Sequence, residues 1–257
     1  MKISRIAGIL CITLLLMGID PNMLSAQKNM TAREIVQTAT DKLNGESSRG
    51  KMKMKIIRPD WTREISMKVW SLGTDYYMIY ITAPAREEGQ VFLKREDNMW
   101  NYMPNIDRMI KLPPSMMMQS WMGSDFTNND LVKVSSMVED YEHEIVGEEK
   151  IEGYECWKIR FTPKPEAAVV WGRIDMWIAK GEFYELQAFY YDENIELIKK
   201  EFMSQIEQMG DRKLPGHMEM IPVDKEGHKT VMDFVDMEFN VDLSPEFFSI
   251  RNMKRVR

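Results

Sequence analysis

Residues Lys51-Met52-Lys53-Met54-Lys55-Ile56 alternate charged and apolar side chains without a break. A period of two places Met52, Met54 and Ile56 on one side of an extended chain and the lysines on the other, the pattern of a half-buried β-strand. Working outward, Pro59-Asp60 reads as a turn, residues 63–71 as a second strand, Gly73-Thr74 as a turn and residues 75–82 as a third strand. Residues 89–94 and 99–103 follow with Asp97-Asn98 as their hairpin turn, then a short strand over 108–112 that Pro113-Pro114 ends. Upstream lies one well-marked helix. Thr31 and Glu34 form a capping box, Ile35, Val36, Ala39 and Leu43 share a face, Met30 is placed for a hydrophobic staple, and Asn44-Gly45 stops the helix.

Downstream, residues 115–121 and 128–136 read as short helices. Strands are expected over 141–146, 154–162, 169–179, 182–191, 195–208, 216–221 and 229–241, punctuated by Gly153, Gly181, Asp192-Glu193-Asn194, Gly210 and Gly227. The connections are short, so neighbouring strands should pair antiparallel. Open twisted sheets rarely exceed about ten strands without curling. The expected fold is therefore mainly β with a few helices: one large antiparallel sheet curled into an unclosed half-barrel, helices on its concave side. Within 229–241 the apolar parity switches between Phe234 and Val235, which predicts a β-bulge there.

The 257 residues, 44% hydrophobic and 29% charged, have a globular composition that excludes collagen and coiled coil. A net charge of −6 carries no electrostatic footprint for nucleic acid. Lys2 and Arg5 precede an uncharged, mainly apolar run over 6–19, and Ser25-Ala26 offers a cleavage site, so residues 1–26 read as a secretory signal peptide. Cys11 lies inside that run and is not placed as a lipid anchor. The mature chain, 27–257, is then one domain with Cys156 as its single cysteine and no internal disulfide. No second long apolar stretch follows, so a chain soluble outside the cytoplasm is expected.

Catalytic motifs are missing from the sequence. Gly123-Ser124-Asp125 lacks the second glycine of a nucleophile elbow, and there is no phosphate loop, dinucleotide fingerprint or zinc-protease pair. His143, His217 and His228 lie far apart, and Cys156 sits in a strand with no neighbour to lower its pKa. The acidic run over 139–152 reads as the solvated side of a strand, and Arg251, Lys254, Arg255 and Arg257 as a solvated tail. No metal, cofactor or catalytic residue is expected. An enzyme would need two converging carboxyls with separated pKa values, and no pair stands out.

The 24 methionines are unusual, and they cluster with aromatics. Trp100, Tyr102, Met103, Met109, Met116, Met117, Trp121 and Met122 are the expected lining of an apolar cavity, since the flexible thioether adapts to ligands of varied shape. The alternative is that they fill a core. Gly123-Ser124-Asp125-Phe126 is a patterned loop, a gate or partner contact in one reading and a helix cap in the other.

The ordered stretch Trp100-Asn101-Tyr102-Met103-Pro104, Arg108 to Leu112 and Gly123-Ser124-Asp125-Phe126, with Gly153-Tyr154-Glu155-Cys156-Trp157, Leu214-Pro215 and His228-Lys229-Thr230 later, resembles the LolA-like outer-membrane lipoprotein-sorting family in its longer branch. The resemblance implies a periplasmic, non-catalytic carrier: an unclosed β-barrel that takes acyl chains of lipoproteins or lipids and passes them towards the outer membrane. It implies an inner-membrane exporter and an outer-membrane acceptor as partners. The family's cavity arginine has no motif match here; Arg108 is the basic residue beside the Met-rich segment. The alternative on the same fold is an envelope sensor or adaptor working with a membrane-export or signalling partner.

Overall fold

The computed structural model describes residues 30–132, 136–167 and 169–257; the expected leader over 1–26 lies outside them. Helix α1 (Ala32–Asn44) starts at Thr31, whose hydroxyl accepts from the Glu34 amide while the Glu34 carboxylate accepts from the Thr31 amide. Among the described residues, thirteen strands follow in a single antiparallel sheet. The first half holds β1 (Ser47–Ile57), β2 (Thr62–Leu72), β3 (Tyr76–Ala83), β4 (Val91–Arg95), β5 (Asn98–Met103) and β6 (Arg108–Lys111). The second holds β7 (Tyr141–Ile151), β8 (Tyr154–Pro163), β9 (Arg173–Ala179), β10 (Glu185–Tyr191), β11 (Leu197–Met209), β12 (Arg212–Pro222) and β13 (Lys229–Phe239). Between the halves lie two short helices, α2 (Asn128–Val132) and α3 (Ser136–Glu139), and α4 (Ile250–Met253) ends the chain.

The order across the sheet is β6-β5-β4-β3-β2-β1-β13-β12-β11-β10-β9-β8-β7. The first and last strands pair at the centre, and β6 and β7, consecutive in sequence, form the two edges. The meander is thus a barrel with one ladder missing, and residues 112–140 run from one edge to the other.

Alternation decides which side chains face inward. Met52, Met54 and Ile56 of β1 join Ile65, Met67 and Val69 of β2, Ile79 and Ile81 of β3 and Phe92 of β4. Across the molecule Ile159 and Phe161 of β8 and Ile174, Met176 and Ile178 of β9 belong to the same buried cluster, as do Ile35 and Val36 of α1. One apolar cluster served by both halves of the sheet requires the sheet to wrap around it. The bulge expected in β13 is present: Lys51 pairs with Asp236 and Met52 with Phe234, leaving Val235 as the extra residue. Gly50 sits beside it because a Cβ there would lie 2.1 Å from the Met237 sulfur and 2.3 Å from the Asp236 carbonyl oxygen.

Two expectations need correction. Residues 115–121 form no α-helix: Pro114–Met116 is a single 3-10 turn, and the amides of Met116, Met117 and Gln119 each bond three residues back. The helix expected over 128–136 is observed over Asn128–Val132 and at Ser136, where a helical stretch runs on to Glu139; residues 133–135 lie outside the described residues. The C-terminal tail is not a frayed end. Phe248, Met253 and Val256 are buried against Met78, Tyr80, Val91 and Leu93 on the outer face of β3 and β4. Lys254 pairs with Asp107 at 2.6 Å. The basic residues around Met253 and Val256 masked an apolar i, i+3 pair in the sequence. So α1 lies on the inner face and α4 on the outer.

Phe248 is fully buried in that outer cluster. Phe248→Ala should cost about 3–5 kcal/mol in urea unfolding, the usual loss for an aromatic cavity. A frayed tail would leave the unfolding midpoint unmoved.

Candidate functional site

The described residues of the crossing segment 112–140 lie over the inner face and are fastened on both sides. On the β1–β13 side, Arg58 Nη1 reaches Asp125 Oδ2 at 3.0 Å and Nη2 donates to the Gly123 carbonyl at 2.8 Å. Thr230, at the head of β13, accepts from the Asp125 amide at 2.9 Å and donates to Asp125 Oδ2 at 2.7 Å. Both ionic side chains are buried, at 9% and 6% exposure, so each charge depends on the other for its solvation. Arg63 of β2 also donates to the Met122 carbonyl. On the far side Asp130, in the first turn of α2, takes Lys199 Nζ of β11 at 2.7 Å. Asp130 also accepts from the Thr127 amide while the Thr127 hydroxyl accepts from the Asp130 amide, a capping box that starts α2.

Inside Gly123-Ser124-Asp125-Phe126, each residue has a fixed task. Gly123 turns the chain at φ +79°, Ser124 donates its hydroxyl to the Trp121 carbonyl, Asp125 carries the ion pair, and Phe126 is buried in the inner cluster. Trp121 meets Phe92 edge-on at a centroid distance of 5.5 Å.

The segment divides the inner space. On the second-half side is a cavity of about 230 Å³ bounded by α1 (Val36, Ala39, Leu43), the segment (Phe126, Leu131, Met137) and strands β9 to β12 (Met176, Tyr190, Met203, Met218, Met220). On the first-half side is a cleft of about 530 Å³ lined by Trp61, Arg63, Glu87, Gln90, Asn101, Ile110, Met116, Trp121 and Met122. The cleft is the more polar chamber: Arg63 lies 3.8 Å from Glu87, and Gln90 bonds Asn101 at 3.1 Å.

The apolar cavity has one charged wall. Lys199, Glu201 and Met203 alternate along the inner side of β11. Lys199 sits over the Trp171 and Tyr190 rings at 4.7 and 5.0 Å, and the Tyr190 hydroxyl donates to Glu201 Oε2 at 3.0 Å. Burial raises the Glu201 carboxyl to about 6, with the Tyr190 hydrogen bond and the Lys199 charge holding it back. Burial, and then the Glu201 charge, raise Glu185 well above the usual carboxylate range. Cys156 packs in an outer cluster, and burial raises its pKa. Among the described residues, no three His, Cys, Asp or Glu side chains are grouped to hold a metal ion.

The structure separates the residues expected to line one cavity. Met116, Trp121 and Met122 border the polar cleft, with Gly123; Phe126 borders the apolar cavity; Met117 packs against the inner cluster. Trp100, Tyr102 and Met109 point to the outer face and pack beneath the C-terminal segment. Met103 ends β5 half-buried, and Arg108 is exposed on edge strand β6. Strand parity explains the split, because Asn101 and Ile110 hold the inward positions beside those residues. Lys199, Glu201, Glu185, Tyr190 and Arg58 were missed. The first two had a signal: charged residues in phase with Met203 on a strand.

A family model described as an uncharacterized protein matches residues 73–255. The chain is similar to a DUF1329 family protein from Desulfovibrio piger, at 26% identity over 90% of this chain and 98% of that one, with a TM-score of 0.78. A domain from Vibrio parahaemolyticus described as an outer membrane lipoprotein-sorting protein is 22% identical over 87% and 98% of the two chains, TM-score 0.77. A LolA superfamily protein from Nitrosomonas europaea is 22% identical over 86% and 99%, TM-score 0.73. No curated protein matches the sequence.

Two outcomes follow from the ionic contacts. Asp125→Ala strands the buried Arg58 charge and should cost about 3–5 kcal/mol, with faster amide exchange over residues 120–127 than elsewhere in the sheet. Unchanged exchange there would show that the ion pair does not hold the segment. Glu201 has its folded pKa raised, so its contribution is fully present below its ordinary value of 4.5 and is lost as the pH rises through about 6. The stability of Glu201→Gln relative to the parent should therefore grow by about 2 kcal/mol from pH 4.5 to pH 7 in denaturant titrations. A flat difference would contradict the assigned shift.

Proposed function

We propose that this chain, which belongs to the family whose model matches residues 73–255 and has the fold of a LolA superfamily protein, is a periplasmic, non-catalytic carrier that holds acyl chains of lipoproteins or lipids on their way towards the outer membrane. The observation that carries this reading is the 230 Å³ cavity between α1, the crossing segment and β9 to β12. Its walls are methionine, aromatic and aliphatic side chains, which match a flexible hydrocarbon chain by dispersion and by exclusion of water. A dry cavity of about 150 Å³ already holds benzene in another protein, so this space accepts a hydrocarbon segment.

The crossing segment gives such a carrier its entry. It covers the cavity through Phe126, Leu131 and Met137 and is held by ion pairs, loop hydrogen bonds and the buried Trp121 and Phe126 rather than by a sheet ladder. Displacing it exposes the cavity and leaves the thirteen-strand sheet intact. A carrier of this kind needs binding and release and no bond-making residue. Among the described residues no helix is long and apolar enough to cross a membrane. An inner-membrane exporter and an outer-membrane acceptor are the partners this role requires. The cavity is also the site proposed for the ligand, in place of the outward-facing Trp100, Tyr102 and Met109.

Purification of residues 27–257 from the periplasm of a diderm host without detergent, followed by native and lipid mass spectrometry, tests the reading. A stoichiometric acylated ligand is expected, lost in Ala39→Trp, which fills the cavity from α1. A ligand-free protein that also refuses added lipids and acyl peptides would overturn the carrier.

A further inference from the structure

Strand β10 opens with a bulge. Glu185 pairs with Ile178 and Gln187 with Trp177, so Leu186 is the extra residue. Ala188 and Tyr190 face inward, and strict alternation from them would place Leu186 inside and Glu185 outside. The reverse is observed: Leu186 is buried in the outer cluster with Cys156 and Trp177, and Glu185 lines the apolar cavity. The bulge re-aims a carboxyl from the outer face into the chamber, the use bulges have beside ligand sites.

Glu201 faces the same chamber from β11, where it pairs with Ala188 across the ladder. The Tyr190 hydroxyl occupies one of its oxygens. Among the described residues the Glu185 carboxyl has no hydrogen bond or ion pair. The cation on this wall is already engaged: Lys199 Nζ is 2.7 Å from Asp130 and lies over two aromatic rings. Asp130 and Lys199 cancel, and Glu185 and Glu201 are left as an acidic pair in a cavity otherwise lined mainly by hydrocarbon.

A ligand that completes this wall has an apolar body and a polar end rich in donors. An ammonium group brings three donors and one positive charge. It serves both carboxyls and removes the repulsion between them. A hydroxyl brings one donor and no charge, and a carboxylate brings a negative charge to a wall already made of two acids. We infer that the cavity selects amphiphiles whose polar end is a protonated amine, seated between Glu185 and Glu201. This rests on the carrier reading for the apolar part of the ligand and adds the chemistry of its head.

The probes are dodecylammonium, dodecanol and dodecanoate, each below its micelle concentration, titrated into the full mature chain at pH 7 and followed by calorimetry. In the parent protein the amine should bind about tenfold tighter than the alcohol, as one charge-assisted hydrogen bond over a neutral one provides, and the acid should bind weakest. Glu185→Gln and Glu201→Gln should each abolish the advantage of the amine and leave the alcohol unchanged, which also reports an intact cavity. Equal binding of amine and alcohol to the parent, or a preference that survives both variants, would overturn the inference and leave the carrier standing. Failure of all three probes to bind the parent would overturn both.

Discussion

Strands β6 and β7 do not pair, and the organisation of the inner space follows from that gap. Every other sequential pair of strands forms a hairpin ladder, and β1 closes on β13. One more ladder would give a closed barrel whose lumen side chains would have to fill. With the ladder absent, the chain has to travel from one edge to the other, and the direct route lies across the inner face. The crossing segment is therefore part of the roof of the cavity as a consequence of topology. The edges it leaves are protected: β6 has four residues, with Arg108 and Lys111 exposed at its ends, and β7 presents Glu142, Glu144, Glu148 and Glu149.

A segment without a ladder needs another means of attachment. Burying Arg58 and Asp125 carries a desolvation penalty that a pair of apolar residues would avoid. Trp121 and Phe126 already join the segment to the core, and further apolar residues in place of the pair would fix it there more firmly. An ion pair satisfied by Thr230 and by the Gly123 carbonyl is specific in this arrangement, and water would re-solvate it were the segment displaced. Lys199 and Asp130 repeat the device on the opposite wall. Both acids belong to the crossing segment and both bases to the sheet or its hairpin, so the fastening is a directed one, roof to wall.

Much of the fold was legible because it rests on local rules. The Lys-Met alternation at 51–56, the capping box at Thr31 and the parity switch at Phe234-Val235 each corresponds to an observed element: β1, α1 and the bulge at Val235. The site was less legible because it depends on which face a residue takes in a sheet buried on both sides. In β4, Val91 and Leu93 face outward and Phe92 inward, and all are buried, so composition does not distinguish them. Trp100, Tyr102 and Met109 belong with the outward set for the same reason, covered by a C-terminal segment whose charges disguised Phe248 and Met253. Glu185 could not be placed at all, since its inward aim comes from a bulge that no periodicity announces.

The cavity itself is a cost to the fold. At the roughly 24 cal/mol per Å³ observed for voids left in a protein core, a space of about 230 Å³ would cost at most about 5.5 kcal/mol if it were fully enclosed, a sizeable share of the 5–15 kcal/mol that holds a typical domain together. Collapse would remove that cost, and methionine walls would allow it, since Met218 and Met220 can adjust to fill space. The charged wall opposes collapse. Bringing Val36 and Ala39 of α1 onto β11 would press hydrocarbon against Glu185 and Glu201 and take the acids further from any partner. The same carboxyls that complete a ligand therefore keep the chamber open in its absence, and a bound apolar chain would remove the void without closing the wall.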